Sequence, residues 1–279
     1  MVEKSLMNLP VPKTLTGLMQ HLQHLVGLGG YRRWCGGHIR HELLPAFLDK
    51  MAVRYPSLMR SDRSRTTDRA AGRAALRMVL WPIYPPRPPS SPLQRIHEAL
   101  HPPQPVEWQW WILSTKGQGG LCDPLMPDAR VSHDALAAEH HIRVRDYVLM
   151  RRGKRIPVRS KVCGGAERTT WRETTTLTWS MDADAMNSIY SRIDACCRRG
   201  FGVGNLLAEQ RRRPLFAGIR GQVIQLHRYA RDEVCRVSPQ QRGGLLDMRA
   251  LVTEYLPKMI RVPVYDDLPR RVRDVFGRN

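Results

Sequence analysis

The amino-acid sequence predicts an α+β protein in which a central, mostly antiparallel sheet is flanked by helical parts at both ends. Apolar residues recur every three to four positions before about residue 54 and again after residue 181, as in helices. Between these regions, runs of β-branched and aromatic residues favour strands. The predicted organisation is a helical part over 1–73, a β-rich part over 74–181 with a proline-rich insertion at 85–105, and a helical part over 182–279.

The first part contains two predicted helices. Leucines at helical spacing indicate a helix over 14–28, and the glycine pair that follows it acts as a stop. A second amphipathic helix is expected at about 42–54. Residues 31–41 combine glycine with aromatic, basic and imidazole side chains, which predicts a loop with the character of a binding site.

The second part contains the predicted strands. Alternation and β-forming residues place them at 76–84, 106–113, 142–150, 156–162 and 174–181. Residues 151–155 read Arg-Arg-Gly-Lys-Arg and are predicted to be a tight hairpin turn between the third and fourth strands. A short helix is expected at about 132–139. Eight prolines in 85–105 indicate an extended connector around a short helix at 93–100.

The third part is helical from Asp182, whose side chain is expected to cap the first helix. A glycine-rich loop at 200–204 and the sequence Arg-Arg-Arg-Pro at 211–214 interrupt the helical pattern. Further helices are expected at about 215–236, 245–256 and 268–276.

The charge balance points to a polyanionic partner. The chain of 279 residues has 45 basic and 25 acidic side chains, a formal net charge of +20. Such a surplus repels itself unless something anionic neutralises it, and nucleic acid is the commonest such partner. Of the basic residues, 38 are arginine, which pairs with phosphate through a planar fork and stacks on bases. A high genomic GC content would favour arginine in the same way.

Three windows, 54–77, 151–161 and 198–231, hold 21 of the 45 basic residues. If they converge in space they form a groove that follows a phosphate backbone, and if they do not they are ordinary solvated faces. Five aromatic residues lie near the charges and either pack in a core or stack on bases, namely Tyr31, Trp34, Tyr147, Trp171 and Phe201. The predicted nucleic-acid-binding residues are Arg32, Arg33, Trp34, Arg40, Arg60, Arg63, Arg65, Arg151, Arg152, Lys154, Arg155, Arg198, Arg199, Phe201, Arg211, Arg212 and Arg213.

The segment Gly200-Phe201-Gly202-Val203-Gly204 follows a predicted helix, and its backbone N–H groups could approach a phosphate closely. Strands, a helix and a basic glycine-rich loop over about 174–210 make this region similar to the RNA-binding loop of CRISPR repeat-associated proteins. That resemblance implies an RRM-like fold and RNA binding, and some members cleave their own guide RNA. The whole chain also resembles uncharacterised basic proteins of bacterial plasmids and integrative elements, which implies no residue roles.

Two groups of residues are candidates for chemistry. Cys35, His38 and His41 are metal-ligand types, but their spacing does not supply four ligands, so no metal or other cofactor is predicted. His38 or His41 could instead act as a general base toward a ribose hydroxyl. Two acidic pairs, at 182/184 and 266/267, could gather in a metal-dependent nuclease or simply cap helices.

Several classes of function are disfavoured because their motifs do not occur. The sequence has no Walker, H-E-x-x-H, G-x-S-x-G or dinucleotide-binding motif. It has no run of 18 apolar residues and no secretory signal at its start, so no membrane partner is expected. Six cysteines without a C-x-x-C pair suggest reduced thiols and a cytoplasmic location.

We therefore expect a nucleic-acid-binding protein that grips RNA or single-stranded DNA, together with other subunits of a mobile-element or CRISPR-type ribonucleoprotein. Catalysis is not required for this role. The enzymatic alternative is a metal-independent guide-RNA endoribonuclease or a DNA-processing nuclease. A third class is an adaptor whose basic faces bind an acidic protein. Sequence alone does not choose between RNA and DNA, or between single and double strands.

Overall fold

The computed structural model describes residues 5–86, 103–126, 128–161, 167–236 and 271–276. Helices and antiparallel strands confirm the α+β class. The chain divides into two compact units, unit 1 comprising Met1–His140 with Val262–Asn279, and unit 2 comprising His141–Arg261. Each unit has its own antiparallel sheet, so the strands predicted for one central sheet are shared between two.

Unit 1 combines a four-stranded sheet with helices. Its sheet has the order β2-β3-β1-β4, with antiparallel neighbours. The strands are β1 (Arg33–Arg40), β2 (Leu76–Ile83), β3 (Glu107–Ser114) and β4 (His133–Asp134). The helices are α1 (Leu15–Gly27), α2 (Leu44–Arg54) and α3 (Asp62–Ala70), with short 3-10 helices at Leu6–Asn8, His41–Leu43, Pro56–Met59 and Ala129–Val131.

The core of unit 1 lies between α2 and one face of this sheet. Leu48 and Met51 of α2 belong to the same buried cluster as Trp108 and Ile112 of β3. Burying such large side chains supplies most of the driving force for folding this unit. The cluster also contains Val272, from a short helix over Val272–Phe276.

Residues 33–40 form strand β1, so the loop predicted at 31–41 is wrong. β1 pairs along its whole length with β3, from Arg33 opposite Ser114 to Arg40 opposite Glu107. Gly36 lies against this neighbour so closely that a Cβ atom would approach the Trp110 carbonyl oxygen to 2.7 Å. Glycine here serves tight strand packing rather than a loop. The short helix predicted at 132–139 is also wrong, because β4 and turns occupy that region.

Unit 2 is built around a long hairpin. Its strands are β5 (Arg143–Val144), β6 (Tyr147–Lys161) and β7 (Glu167–Met181), in the order β5-β6-β7. β6 runs straight through residues 151–155, so the tight turn predicted there is wrong. Its partner is not the segment 156–162 but β7, in a register that joins Tyr147 to Met181 and Lys161 to Glu167.

Three helices follow the hairpin. Asp182 caps α4 (Ala183–Arg199), where its side chain accepts a hydrogen bond from the Ala185 N–H at 2.8 Å, as predicted. The next two are α5 (Val203–Arg211) and α6 (Ala217–Arg236). α6 approaches β7 closely at Gly218, whose N–H donates to Thr178 Oγ1 at 3.1 Å. A Cβ at Gly218 would lie 2.3 Å from the Trp179 carbonyl oxygen, so this contact requires glycine.

The last described element is α7 (Val272–Phe276), which packs in unit 1, where the Val272 N–H donates to the Leu9 carbonyl at 3.1 Å. The predicted helices at 93–100 and 245–256, most of the insertion at 85–105 and the acidic pair at 266/267 lie outside the described residues. Within the described part of the chain, no helix combines the length and apolar character needed to cross a membrane.

Candidate nucleic-acid interface

In unit 1, most arginines of the window 54–77 are held by aspartates. The buried carboxylate of Asp68 accepts a hydrogen bond from Arg60 Nη1 and another from Arg73 Nε, the latter at 2.9 Å. The hydrogen bond from Arg60 is the main cause that lowers the pKa of Asp68 below its usual value. These two guanidinium groups share one carboxylate, which neutralises one of their two charges.

A second aspartate, Asp62, pairs with Arg65 at 2.8 Å and also with Arg77. Arg65 is only 7% exposed, and its Nη2 donates to the Leu58 carbonyl at 2.9 Å. Its guanidinium therefore serves the fold and has little surface left for a phosphate. Arg63, on the other side of α3, is exposed and has no carboxylate partner among the described residues.

The arginines around β1 do not make one cluster. Arg32 and Arg40 are exposed, whereas Arg33 is half-buried. Arg33 and Arg40 lie at opposite ends of the strand, about 24 Å apart along an extended chain. They are too far apart to grip the same phosphate.

Trp34 is held within an aromatic group and is only partly exposed. Its Nε1 donates to the His140 carbonyl at 3.1 Å, and its ring centroid lies 5.5 Å from that of His133. The His133 ring in turn stacks on His140 at 4.2 Å. These contacts satisfy the indole, so Trp34 would have to leave them before it could stack on a base.

The two candidate catalytic histidines differ in exposure. His41 is buried, and its Nδ1 accepts a hydrogen bond from Trp108 Nε1 at 2.9 Å. Burial also lowers the pKa of His41, which keeps the ring neutral. His38 is exposed and lies 3.3 Å from Glu107 Oε2, so its ring can be oriented by a carboxylate.

Strand geometry separates the residues of the Cys-x-x-His-x-x-His pattern. Side chains alternate along β1, so Cys35 points into the core while His38 points to solvent. Burial raises the pKa of the Cys35 thiol, which opposes formation of a metal-binding thiolate. Among the residues that the structure describes, no three histidine, cysteine or acidic side chains are placed to hold a metal ion.

Unit 1 also contains a cavity of about 360 Å³ lined by Trp34, Trp110, Asp128 and His133 among others. Asp128 could give it a negative charge, but this carboxylate pairs with Arg54 at 3.0 Å and accepts a hydrogen bond from Tyr55 Oη at 2.5 Å. The cavity is therefore mostly apolar, with its acidic group already paired.

In unit 2, three basic residues of β6 are exposed on a two-stranded ribbon. β5 pairs only with Tyr147 and Val148, so from Leu149 to Lys161 the pairing of β6 with β7 is not extended by another described strand. We call this segment with its partner residues in β7 the β6–β7 ribbon. Arg151, Arg152 and Arg155 are exposed on it. Lys154 pairs through its backbone with Thr174, and its side chain lies outside the described set.

The ribbon presents charge on both faces. Side chains alternate, so Arg151, Arg155 and Trp171 lie on one face, whereas Arg152 and Arg172 lie on the other. The second face is the one near α6, because Arg152 Nη1 lies 3.4 Å from the Gly218 carbonyl oxygen. On the first face, Arg155 pairs with Glu173 at 3.1 Å, but both side chains are more than 70% exposed.

A second exposed basic site lies in the turn between α4 and α5. Arg198 and Arg199 end α4, and both are exposed. The turn Gly200-Phe201-Gly202 follows, with φ values of 82° and 90° at its glycines, a conformation that favours glycine. Phe201 is thereby displayed between them with 62% of its surface exposed. This turn joins two helices, and its aromatic ring and arginines face solvent together.

The three consecutive arginines at the end of α5 have different surroundings. Arg213 is half-buried, where it donates to the Tyr147 hydroxyl at 3.0 Å and to Gln210 Oε1. Arg211 is also half-buried, whereas Arg212 is exposed. Of the three, Arg212 is the one placed to contact a partner.

Comparison with protein-family models, with curated proteins and with solved structures finds no match. The candidate interface therefore depends on geometry and charge alone.

Two residues of the ribbon were missed as binding candidates from the sequence. Arg172 was not assigned because strand β7 was predicted to begin at Thr174 and in fact begins at Glu167. Trp171 was noted among aromatics near charge but not assigned, and the structure leaves it 66% exposed. Tyr31 and Tyr147, which carried the same signal, are buried. The β-forming residues Thr169, Thr170 and Trp171 were the signal that could have extended the strand.

Proposed function

We propose that this protein binds nucleic acid and that unit 2 provides the main contact surface. The observation that carries the proposal is the set of exposed arginines in unit 2 that have no carboxylate partner among the described residues. They are Arg145, Arg151, Arg152, Arg172, Arg198, Arg199, Arg212 and Arg228. An unpaired guanidinium gains more from a phosphate than one that already has an aspartate, because no existing ion pair must be broken.

The distribution of charge supports this choice of unit. Positions 141–261 have 24 basic and 11 acidic residues, a net charge of +13, whereas the remaining positions have 21 and 14, a net charge of +7. Unit 2 is the shorter of the two, so its charge density is higher. Electrostatic attraction of a polyanion would therefore be directed mainly at unit 2.

Exposed aromatic rings support a nucleic acid rather than an acidic protein as the partner. Among the described residues, Trp171 and Phe201 are the aromatic side chains that are more than half exposed, and both lie beside arginines of unit 2. Bases stack on such rings, and guanidinium groups nearby hold the adjoining phosphates. An acidic peptide would use the charges but would leave the rings without a matching surface.

The test is filter binding of labelled RNA and DNA by the full chain over a range of salt concentrations. We expect retention at low ionic strength and a steep linear decrease of log K with log salt, by about 0.9 for each phosphate neutralised on a duplex. Absence of retention of every nucleic acid at low salt would refute the proposal and favour an acidic-protein partner.

A nuclease activity is a second candidate, favoured by the contact between His38 and Glu107. A carboxylate that orients an imidazole prepares it to act as a general base. Incubation of the purified chain with labelled RNA in EDTA tests this, with His38→Ala as the variant and His24→Ala, an exposed histidine of α1, as the control. Cleavage that His38→Ala removes and His24→Ala retains supports the activity, and intact RNA argues against it.

A further inference from the structure

The β6–β7 ribbon is a pair of strands whose described side chains at 151–157 and 169–175 are exposed or half-buried, and α6 reaches its second face at Arg152. None of these side chains is buried. From Leu149 to Lys161 the ribbon has a contour of about 40 Å at the usual rise per residue. Because these side chains do not form a core, Arg151 on one face and Arg172 on the other are available to a partner.

Resting on the proposed function, we infer that the β6–β7 ribbon binds in the major groove of B-form duplex DNA. A two-stranded ribbon fits this groove, which is about 12 Å wide. Phosphates border the groove on both sides. A ribbon inserted between them therefore needs basic side chains on both faces, and Arg151 on one face and Arg172 on the other meet that requirement.

This partner differs from the single strand favoured by the sequence. A protein that follows one strand needs its charges along one track, as in a groove with a single basic floor. On the ribbon, the charges are divided between opposite faces by strand alternation, so one strand cannot reach both sets at once. The division of charge is the observation that selects a duplex.

The form of the duplex follows from groove geometry. The major groove of A-form RNA is deep and narrow, and side chains cannot read it. The B-form groove admits the ribbon, and there the Thr174 hydroxyl lies on the same face as Arg172. Hydroxyls can donate to or accept from base edges with little sequence preference, in keeping with a tolerant binder.

The test measures binding of the full chain to three labelled probes of one sequence: a DNA duplex of about 20 base pairs, or two helical turns, the DNA single strand, and the RNA duplex. We expect the DNA duplex to bind at least about tenfold more tightly than the other two, given groove fit. Arg151→Gln and Arg172→Gln should each weaken duplex binding about threefold, and the double variant about tenfold, as for exposed charge pairs. Arg130→Gln, at an exposed arginine of unit 1 outside the predicted binding residues, is the matched control and should change nothing.

A footprint supplies a second measurement that does not depend on variants. Guanine N7 lies in the major groove, so bound protein should protect it from methylation by dimethyl sulfate, and Arg172→Gln should reduce the protection. Unprotected N7 with normal affinity would overturn the groove assignment. Tighter binding of the single strand, unaffected by either ribbon variant but weakened by Arg198→Gln, would overturn this inference while leaving the proposed function intact. Failure to bind any of the three probes would overturn the proposed function itself.

Discussion

In unit 1, five of the seven arginines between residues 54 and 77 pair with three aspartates, one of which is buried. In unit 2, the arginines at the end of α4 and three of the four ribbon arginines whose side chains the structure describes face solvent without such partners. The same residue type therefore stabilises a fold in one region and remains available to a partner in the other. Net charge in a sequence window does not distinguish these two uses, because the distinguishing aspartates are few and their positions matter more than their number.

The largest predicted effect concerns the fold of unit 1, whose stability should decrease in acid. Burial, with a contribution from the charge of Arg77, lowers the pKa of His21 from 6.5 to about 4. At His21 the folded state therefore binds a proton less readily than the unfolded state. The contribution of His21 to the free energy of unfolding is complete above pH 6.5 and decreases as the pH falls toward 4. We expect a loss of roughly 3 kcal/mol across this range.

Urea unfolding followed by tryptophan fluorescence measures this loss, since five of the seven tryptophans lie in unit 1. His21→Gln should flatten the dependence between pH 6.5 and 4. An unchanged slope in that variant would remove His21 from the argument.

The next effect concerns the exposed arginines of unit 2. The triple variant Arg198→Gln, Arg199→Gln, Arg212→Gln should weaken nucleic-acid binding about 30-fold at moderate salt, since each exposed contact contributes about threefold. The matched triple variant in unit 1, of Arg32, Arg40 and Arg63, should bind within about twofold of the parent, within the range of a weak exposed contact. Fluorescence anisotropy with labelled probes measures both. Equal losses from the two triples would break the contrast between the units.

A smaller effect compares two arginines of α3. Arg65→Ala removes buried hydrogen bonds to Asp62 and to the Leu58 carbonyl, so it should destabilise unit 1 by about 1.5 kcal/mol. Arg63→Ala, on the exposed side, should cost under about 0.5 kcal/mol. Urea unfolding of both variants provides the measurement. If the two variants unfolded alike, Arg65 would not be the structural residue that its burial implies.

Phe201 tests whether the turn between α4 and α5 contacts unpaired bases. Phe201→Ala should weaken binding of a duplex with a single-stranded overhang about fivefold, the lower end of base stacking on an aromatic ring. Binding of the blunt duplex should change little. Competition between the two probes measures this, and equal losses on both would indicate that the ring has another role.

The smallest effect involves the one acidic side chain described on the exposed ribbon. Glu173→Gln removes the carboxylate that shares Arg155, so affinity should rise about twofold, the size of a single exposed ion pair. Stability should not change, because both side chains are largely exposed. A decrease in affinity would show that Glu173 contacts the partner favourably or positions Arg155.

The sequence predicted regular elements well where periodicity was strong. The helices α1 and α2, the strands β2 and β3, and the cap at Asp182 follow from local patterns, and the structure has them close to the expected bounds. The sequence-based prediction failed where the local composition disagreed with the strand pairing of the folded protein. Gly36 and Gly37 suggested a loop, yet β1 is fixed by pairing with β3 along its length, which no local signal reveals.

The candidate site was predicted less well, for related reasons. A glycine between arginines at 151–155 matched a tight turn, but Gly153 pairs with Thr175 in a continuous strand. The sequence identified the basic residues there. Their division between two faces could be predicted only by knowing that strand β6 continues through them. In the window 54–77, the structural role of Arg65 follows from its buried position in α3, which a count of charges does not show.

The exposure of the hairpin in unit 2 affects the stability of its strands. Sheets in globular domains usually gain their stability from a covering layer of helix or second sheet. Over the exposed part of this hairpin, cross-strand pairing alone has to hold the strands together. A double helix around the hairpin would supply the covering layer. Hydrogen exchange of the amides from 151 to 156 should then slow on DNA binding by more than the contacts of individual side chains would suggest, because recognition and local folding would share one free-energy change.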